Sequence, residues 1–146
     1  MNWSDIFLVS LNIIGLSIAF LTLLGVNKNK SKELTKMQQE AVKYSITWLR
    51  ISIICKIFLL WFNINAIVTT VLIPFISNDG NLTRVYIYSA WSLFSTVCPL
   101  MINLKKYSLS FRKAYNTLNE VIHGSDEDIL RAKKIGEQNI TEGFDD

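Results

Sequence analysis

Three apolar blocks constrain this chain more than anything else in it. Residues 6–26 carry no charge over 21 positions, 51–76 carry one charge over 26, and 85–104 carry none over 20. A helix of about 20 apolar residues crosses the roughly 30 Å hydrocarbon core of a bilayer. A soluble domain would instead distribute its apolar positions periodically among polar ones. The blocks predict an all-α integral membrane protein with three transmembrane helices and no separate soluble catalytic domain.

The segments between the blocks set an orientation. The N-terminal tail (1–5) has no Lys or Arg, and the loop 77–84 has only Arg84. Six basic residues fall in 27–50, and seven follow position 104. Basic segments stay cytoplasmic. This predicts an external tail 1–5, spans at 6–26, 51–76 and 85–104, an external loop 77–84, and cytoplasmic segments 27–50 and 105–146. The first block is read as an uncleaved anchor: its apolar run is too long for a signal peptide, and Asp5 replaces the expected positive n-region. Basic residues beside spans point to membrane lipid headgroups as partners rather than nucleic acid. A bacterial inner membrane is the expected location of this multi-pass chain.

The cytoplasmic segments carry helical patterns. Leu34, Met37, Ala41, Tyr44 and Trp48 repeat at three, four, three, four, and no Pro or Gly separates them from the second block. One long helix is expected from about Ser31, a candidate N-cap, to Ile73, with its apolar stripe available to a cytoplasmic protein partner or to the membrane surface. Phe111, Tyr115, Leu118 and Ile122 share a face of a second helix. Gly124 then marks a stop, and Ser125 caps a short helix whose first turn holds Asp126, Glu127 and Asp128. The acidic end (136–146) lacks periodicity and is expected to be mobile.

Polar positions also recur inside the spans. Ser52, Lys56, Leu59, Asn63, Ala66 and Thr70 step by four, three, four, three, four. That places them on one helix face, read as pore- or partner-facing. The first span has Asn12, Gly15, Ala19 and Thr22, and the third has Ser89, Ser92, Thr96, Pro99 and Asn103. Both sets are read as helix-packing faces, since small residues admit close backbone approach and hydroxyls or amides bond across interfaces. Lys56 lies toward the cytoplasmic end. Its ammonium reaches the interface by snorkelling, or it lines the inner mouth of a watery path with Asn63 and Thr70 deeper.

Catalytic chemistry is not indicated. The one histidine, His123, cannot build a metal cluster, and no phosphate loop, nucleophile elbow or carboxylate within a span is present. No enzyme, cofactor or metal is expected. The layout is similar to that of small multi-span effectors of bacterial anti-phage systems, and that resemblance of layout implies an oligomeric, channel-like membrane effector. Bacteriocin-immunity and superinfection-exclusion proteins are similarly small and multi-span, which implies the alternative of a non-pore binding protein. A structural subunit of a larger membrane complex is the third expectation.

Overall fold

In the computed structural model, residues 3–25, 34–78 and 80–144 are described. They form five helices: α1 (Trp3–Gly25), α2 (Lys36–Asn78), α3 (Leu82–Met101), α4 (Leu104–Glu120) and α5 (Asp126–Phe144). No strand occurs among the described residues, so the chain is all-α. Two helical stretches, Lys36–Asn78 and Leu82–Glu120, are long and apolar enough to cross a membrane. The apolar part of α1, Asp5–Leu21, is shorter.

Helix boundaries follow local capping chemistry. At α2, Thr35 Oγ1 accepts from Gln38 N (3.3 Å) and Gln38 Oε1 accepts from Thr35 N (3.1 Å). This reciprocal box satisfies two otherwise orphaned donors and starts the helix at Lys36. Leu34 precedes it, and Ser31, the expected cap, lies outside the described residues. α2 runs through Pro74 to Asn78, five residues beyond the expected end. The turn after it uses Gly80 at φ +69°, whose N–H donates to Ser77 O (3.2 Å). Asp79 lies outside the described residues. Asn81 Oδ1 accepts from Arg84 N (3.2 Å) and caps α3. α1 begins at Trp3, within the segment 1–5 that precedes the first apolar block.

Asn103 is not part of the α3 face. It sits exposed at the break between α3 and α4, at φ +52°. Asparagine tolerates this left-handed conformation better than most residues, since its short side chain bonds locally. Its identity at the end of an apolar block is thus a chain-direction signal rather than a packing one. The stretch after Gly136 also differs from expectation. It continues as α5 to Phe144, because Gly136 and Gly143 are buried and the Phe144 ring lies 4.4 Å from that of Tyr107.

The chain divides into two compact units. One comprises Met1–Leu21 and Ile57–Leu104, and the other Thr22–Lys56 and Lys105–Asp146. In the first, α1, the later half of α2 and α3 pack together. It buries polar side chains and leaves many large apolar ones exposed. Asn65, Thr69 and Ser95 are completely buried, while Ile67, Phe75, Leu93 and Leu100 are 65–74% exposed. Contiguous apolar surface on this scale marks an interaction surface or a membrane-facing one.

The second unit has an ordinary core. Ala41 and Trp48 of α2, Ala114 and Leu118 of α4, Ile122, and Ile129 and Ala132 of α5 form one buried cluster. Met37, Phe111 and Tyr115 pack against it. The predicted α4 face is therefore the face that packs. The Leu34–Trp48 stripe is largely consumed within the chain: α4 and α5 cover Ala41 and Trp48, while Tyr44 remains 40% exposed under the Lys133 ammonium, 4.0 Å from its ring centroid. An amphipathic stripe buries itself against the nearest complementary faces, and here those are its own.

Ser125 caps α5 as expected, accepting from Asp128 N (3.2 Å) and donating to Asp128 Oδ2 (2.6 Å). The hydroxyl holds the Asp128 carboxyl below its ordinary 3.8, with the Ser125 backbone and Arg131 acting in the same direction. A depressed carboxylate pKa stabilises the fold above the unfolded value, and that contribution fades as pH falls through the folded one. Ser125→Ala should raise the Asp128 pKa toward 3.8 and fray the first turn of α5. Carboxyl-carbon NMR titration and amide exchange at 126–129 would read both effects.

Candidate functional site: a polar seam within an apolar bundle

Three apolar helices leave few groups able to bond across their interfaces, so each polar side chain in the first unit has a definite place. Most hydroxyls and amides first satisfy themselves on their own helix. Ser10 Oγ donates to Ile6 O (2.8 Å), Asn12 Nδ2 to Leu8 O (2.7 Å), Ser17 Oγ to Ile13 O (2.8 Å) and Thr96 Oγ1 to Ser92 O (2.9 Å). Back-bonding of this kind makes a polar side chain tolerable in an apolar setting.

The seam lies between α2 and α3. Asn65 Nδ2 donates to Trp61 O (2.9 Å), leaving Oδ1 to accept from Trp91 Nε1 at 3.5 Å. Thr69 Oγ1 donates to Asn65 O (2.7 Å). The Thr70 and Ser92 hydroxyls meet at 2.8 Å, and Thr70 Oγ1 also reaches Ala66 O (2.7 Å). Phe62 and Phe94 close one side, edge to face, with centroids 6.0 Å apart. Interhelical polar bonds in membranes average about 0.6 kcal/mol. Two or three of them set the register, and close packing supplies the larger share of the attraction.

At one end of the seam the two charged side chains among the described residues of this unit come together. Arg84 Nη2 lies 3.4 Å from Asp5 Oδ2, and the Tyr88 hydroxyl donates to Asp5 Oδ1 (2.9 Å). Both side chains of the ion pair are less than one-third exposed. The start of α1 is thereby tied to the start of α3, so the two helices run in the same direction and α2 runs against both.

α1 crosses α2 at Gly15. An ideal Cβ there would collide with Trp61 Cδ1 and stand 3.0 Å from Nε1. Asn12, Gly15 and Ala19 are all half-buried; the side chain of Thr22 lies outside the described residues. Leu8, Thr69, Ile87, Tyr88, Trp91 and Phe94 line an apolar groove of about 660 Å³ that opens on the surface.

The predicted stripe on α2 is divided. Ser52 is 1% exposed and bonded to Ser108 in the second unit. Lys56 and Asn63 are exposed, Ala66 is half-buried, and Thr70 is exposed although bonded to Ser92. The buried positions in this half of α2 are Phe62, Asn65, Thr69 and Ile76, one residue away from the predicted frame. On α3 the frame slips in the same way. Ser92 and Pro99 are packed, but Ser89 and Thr96 are exposed, and Tyr88 and Ser95 are buried instead. Asn65, Thr69 and Ser95 are the residues that the sequence pattern missed. Their signal was the spacing Phe62-Asn65-Thr69-Ile76, as regular as the one chosen.

This arrangement holds helices together and offers polar contacts. Among the described residues no group of three His, Cys, Asp or Glu side chains comes together. Cys55 and Cys98 are free and half-buried. Comparison with known proteins returns no match to a family model, a curated protein or a solved structure.

Proposed function

We propose that the chain is a multi-pass membrane protein of three spans, with α1 as the third, its N-terminus outside and C-terminus inside. Copies associate through the α2 face that carries Lys56, Asn63 and Thr70, and the assembly acts as a channel-like effector of a bacterial inner membrane. The observation that carries this reading is Asn63. Its amide is exposed, makes no hydrogen bond with another described residue, and is surrounded on the helix surface by Leu60, Ile67 and Val71, each 57–65% exposed. An amide left in hydrocarbon is costly, whereas a second copy or a water-filled path satisfies it. The exposed apolar side chains of the α1–α2–α3 unit support the same environment.

Asn63→Leu should weaken self-association in a mild detergent or bilayer by about 3- to 20-fold, matching a membrane hydrogen bond of about 0.6–1.7 kcal/mol. Asn63→Gln should restore most of it. Analytical ultracentrifugation and ion flux from vesicles containing the full chain provide the measurements. A wild-type monomer in a bilayer that stays sealed, with and without its native partners, removes the effector reading. The open groove beside Tyr88 and Trp91 favours a second reading, in which a partner's membrane segment docks there and no ion flux occurs.

A further inference from the structure

We infer that the groove beside Tyr88 holds one acyl chain of an outer-leaflet phospholipid whose phosphate sits at Arg84 and whose headgroup carries an ammonium, an inference that rests on the membrane reading above. Every residue involved belongs to the α1–α2–α3 unit. Leu8 on α1, Thr69 on α2, and Ile87, Ala90 and Phe94 on α3 line the groove, which measures about 660 Å³. Thr69, Tyr88 and Trp91 on its wall direct their polar hydrogens to Asn65 O, Asp5 Oδ1 and Asn65 Oδ1. What remains for an occupant is hydrocarbon contact. Phe94 stands ten residues past Arg84, about 15 Å by helix rise and half of the roughly 30 Å hydrocarbon core. A chain from one leaflet matches that depth, whereas a partner's transmembrane helix would run the whole core.

The head of the groove is charged. Asp5 lies one turn before Leu8, and Arg84 one turn before Ile87, so the ion pair closes the end at which the groove begins. Both side chains stay partly open, at 28% and 30% exposure. Arg84 meets Asp5 through Nη2, and a guanidinium carries five N–H donors in a fork that matches phosphate. Asp5 sets the preference among headgroups. The pair is neutral, so a purely anionic headgroup adds an unmatched charge. An ammonium beside the phosphate keeps the site neutral and is drawn to the Asp5 carboxylate. Trp3 and Tyr86 flank the pair, two residues before Asp5 and two after Arg84, and are 87% and 71% exposed. Such side chains gather at the membrane–water interface, which is the level of a headgroup.

The test uses the full chain in phosphatidylglycerol vesicles doped with phosphatidylethanolamine or phosphatidylglycerol that bears a diazirine on one acyl chain. After irradiation, mass spectrometry maps the cross-links. Labelling should concentrate at Leu8, Ala90 and Phe94, with phosphatidylethanolamine ahead of phosphatidylglycerol. Arg84→Gln should reduce it by about fivefold. Ala90→Trp fills the groove and leaves the ion pair in place. It should reduce labelling at Leu8 and Phe94 by about tenfold, the share of about two methylenes. Ile67→Trp, at an exposed position of α2, should leave it unchanged. Asp79→Asn, in the loop before α3, should leave the headgroup preference unchanged; loss of that preference overturns the assignment to Asp5 and Arg84. Labelling spread evenly over Ile67, Leu100 and the groove overturns the site, and equal labelling by the two headgroups overturns the ammonium assignment. Groove residues that stay unlabelled while Ile67 and Leu100 react mark a groove covered by a protein segment, which overturns the inference alone. A chain that enters no vesicle overturns the membrane reading and the inference together.

Discussion

Trp48→Ala is expected to unfold the α2–α4–α5 unit, at a cost of about 3–5 kcal/mol. Trp48 is 6% exposed, and its ring edge stands 2.7 Å from where a Gly136 Cβ would be. Gly136 is the notch that receives it, and completely buried Ala114 forms the floor. Removing the indole leaves a cavity bounded by three helices whose backbones cannot all close on it. A unit of this size has a total stability of the same order. Trypsin cleavage at Lys133 and Lys134, together with amide exchange in α5, would report the loss. Protection of α5 equal to wild type would refute the account. Gly136→Val, which fills the notch from the other side, should destabilise the same unit by about 1–3 kcal/mol.

The second large effect is expected at Gly15. Gly15→Leu should displace α1 from α2, because the new side chain must start where Trp61 Cδ1 already lies. Overpacking of this kind costs about 1–3 kcal/mol when the surroundings can shift, and a second helix sets the limit here. Asp5 would then lose its approach to Arg84 and Tyr88. Trp61→Val should reverse the sign: it creates room, so the double variant is more stable than Gly15→Leu alone. Thermal aggregation midpoints in mild detergent measure the cycle. Additive destabilisation by the two changes would show that Gly15 and Trp61 are not coupled.

The apolar blocks were legible because their length and lack of charge admit few alternatives, and the all-α architecture follows from them. The α4 face and the Ser125 cap were legible because their spacing had no competitor. The seam was not. Asn63 and Asn65 lie two residues apart and Thr69 and Thr70 are adjacent, so Asn63 with Thr70 fits one heptad frame and Asn65 with Thr69 fits the frame one residue earlier. Where nearly every residue is apolar, polarity no longer distinguishes inside from outside, and the frame is chosen by which side chains find partners on α3. The break at Asn103 was hidden for a different reason: neither Gly nor Pro marks it, and the left-handed turn is carried by a residue that also occurs within spans. The extent of α5 was hidden because buried glycines resemble a flexible end until the bulky partners, Trp48 and the Tyr107–Phe144 pair, are brought to them.

The ion pair at the end of the seam implies an order of events. Asp5 and Arg84 are 79 residues apart, and a chain is made from its N-terminus. α1 therefore leaves the ribosome before Arg84 exists to meet Asp5, and with its Gly15 notch empty. The indole of Trp61 is made before Arg84, and the Tyr88 hydroxyl that also bonds Asp5 comes last. Of the three helices of this unit, the first to be made is thus the last to gain all of its contacts, and its tie to α3 waits for Arg84 and Tyr88.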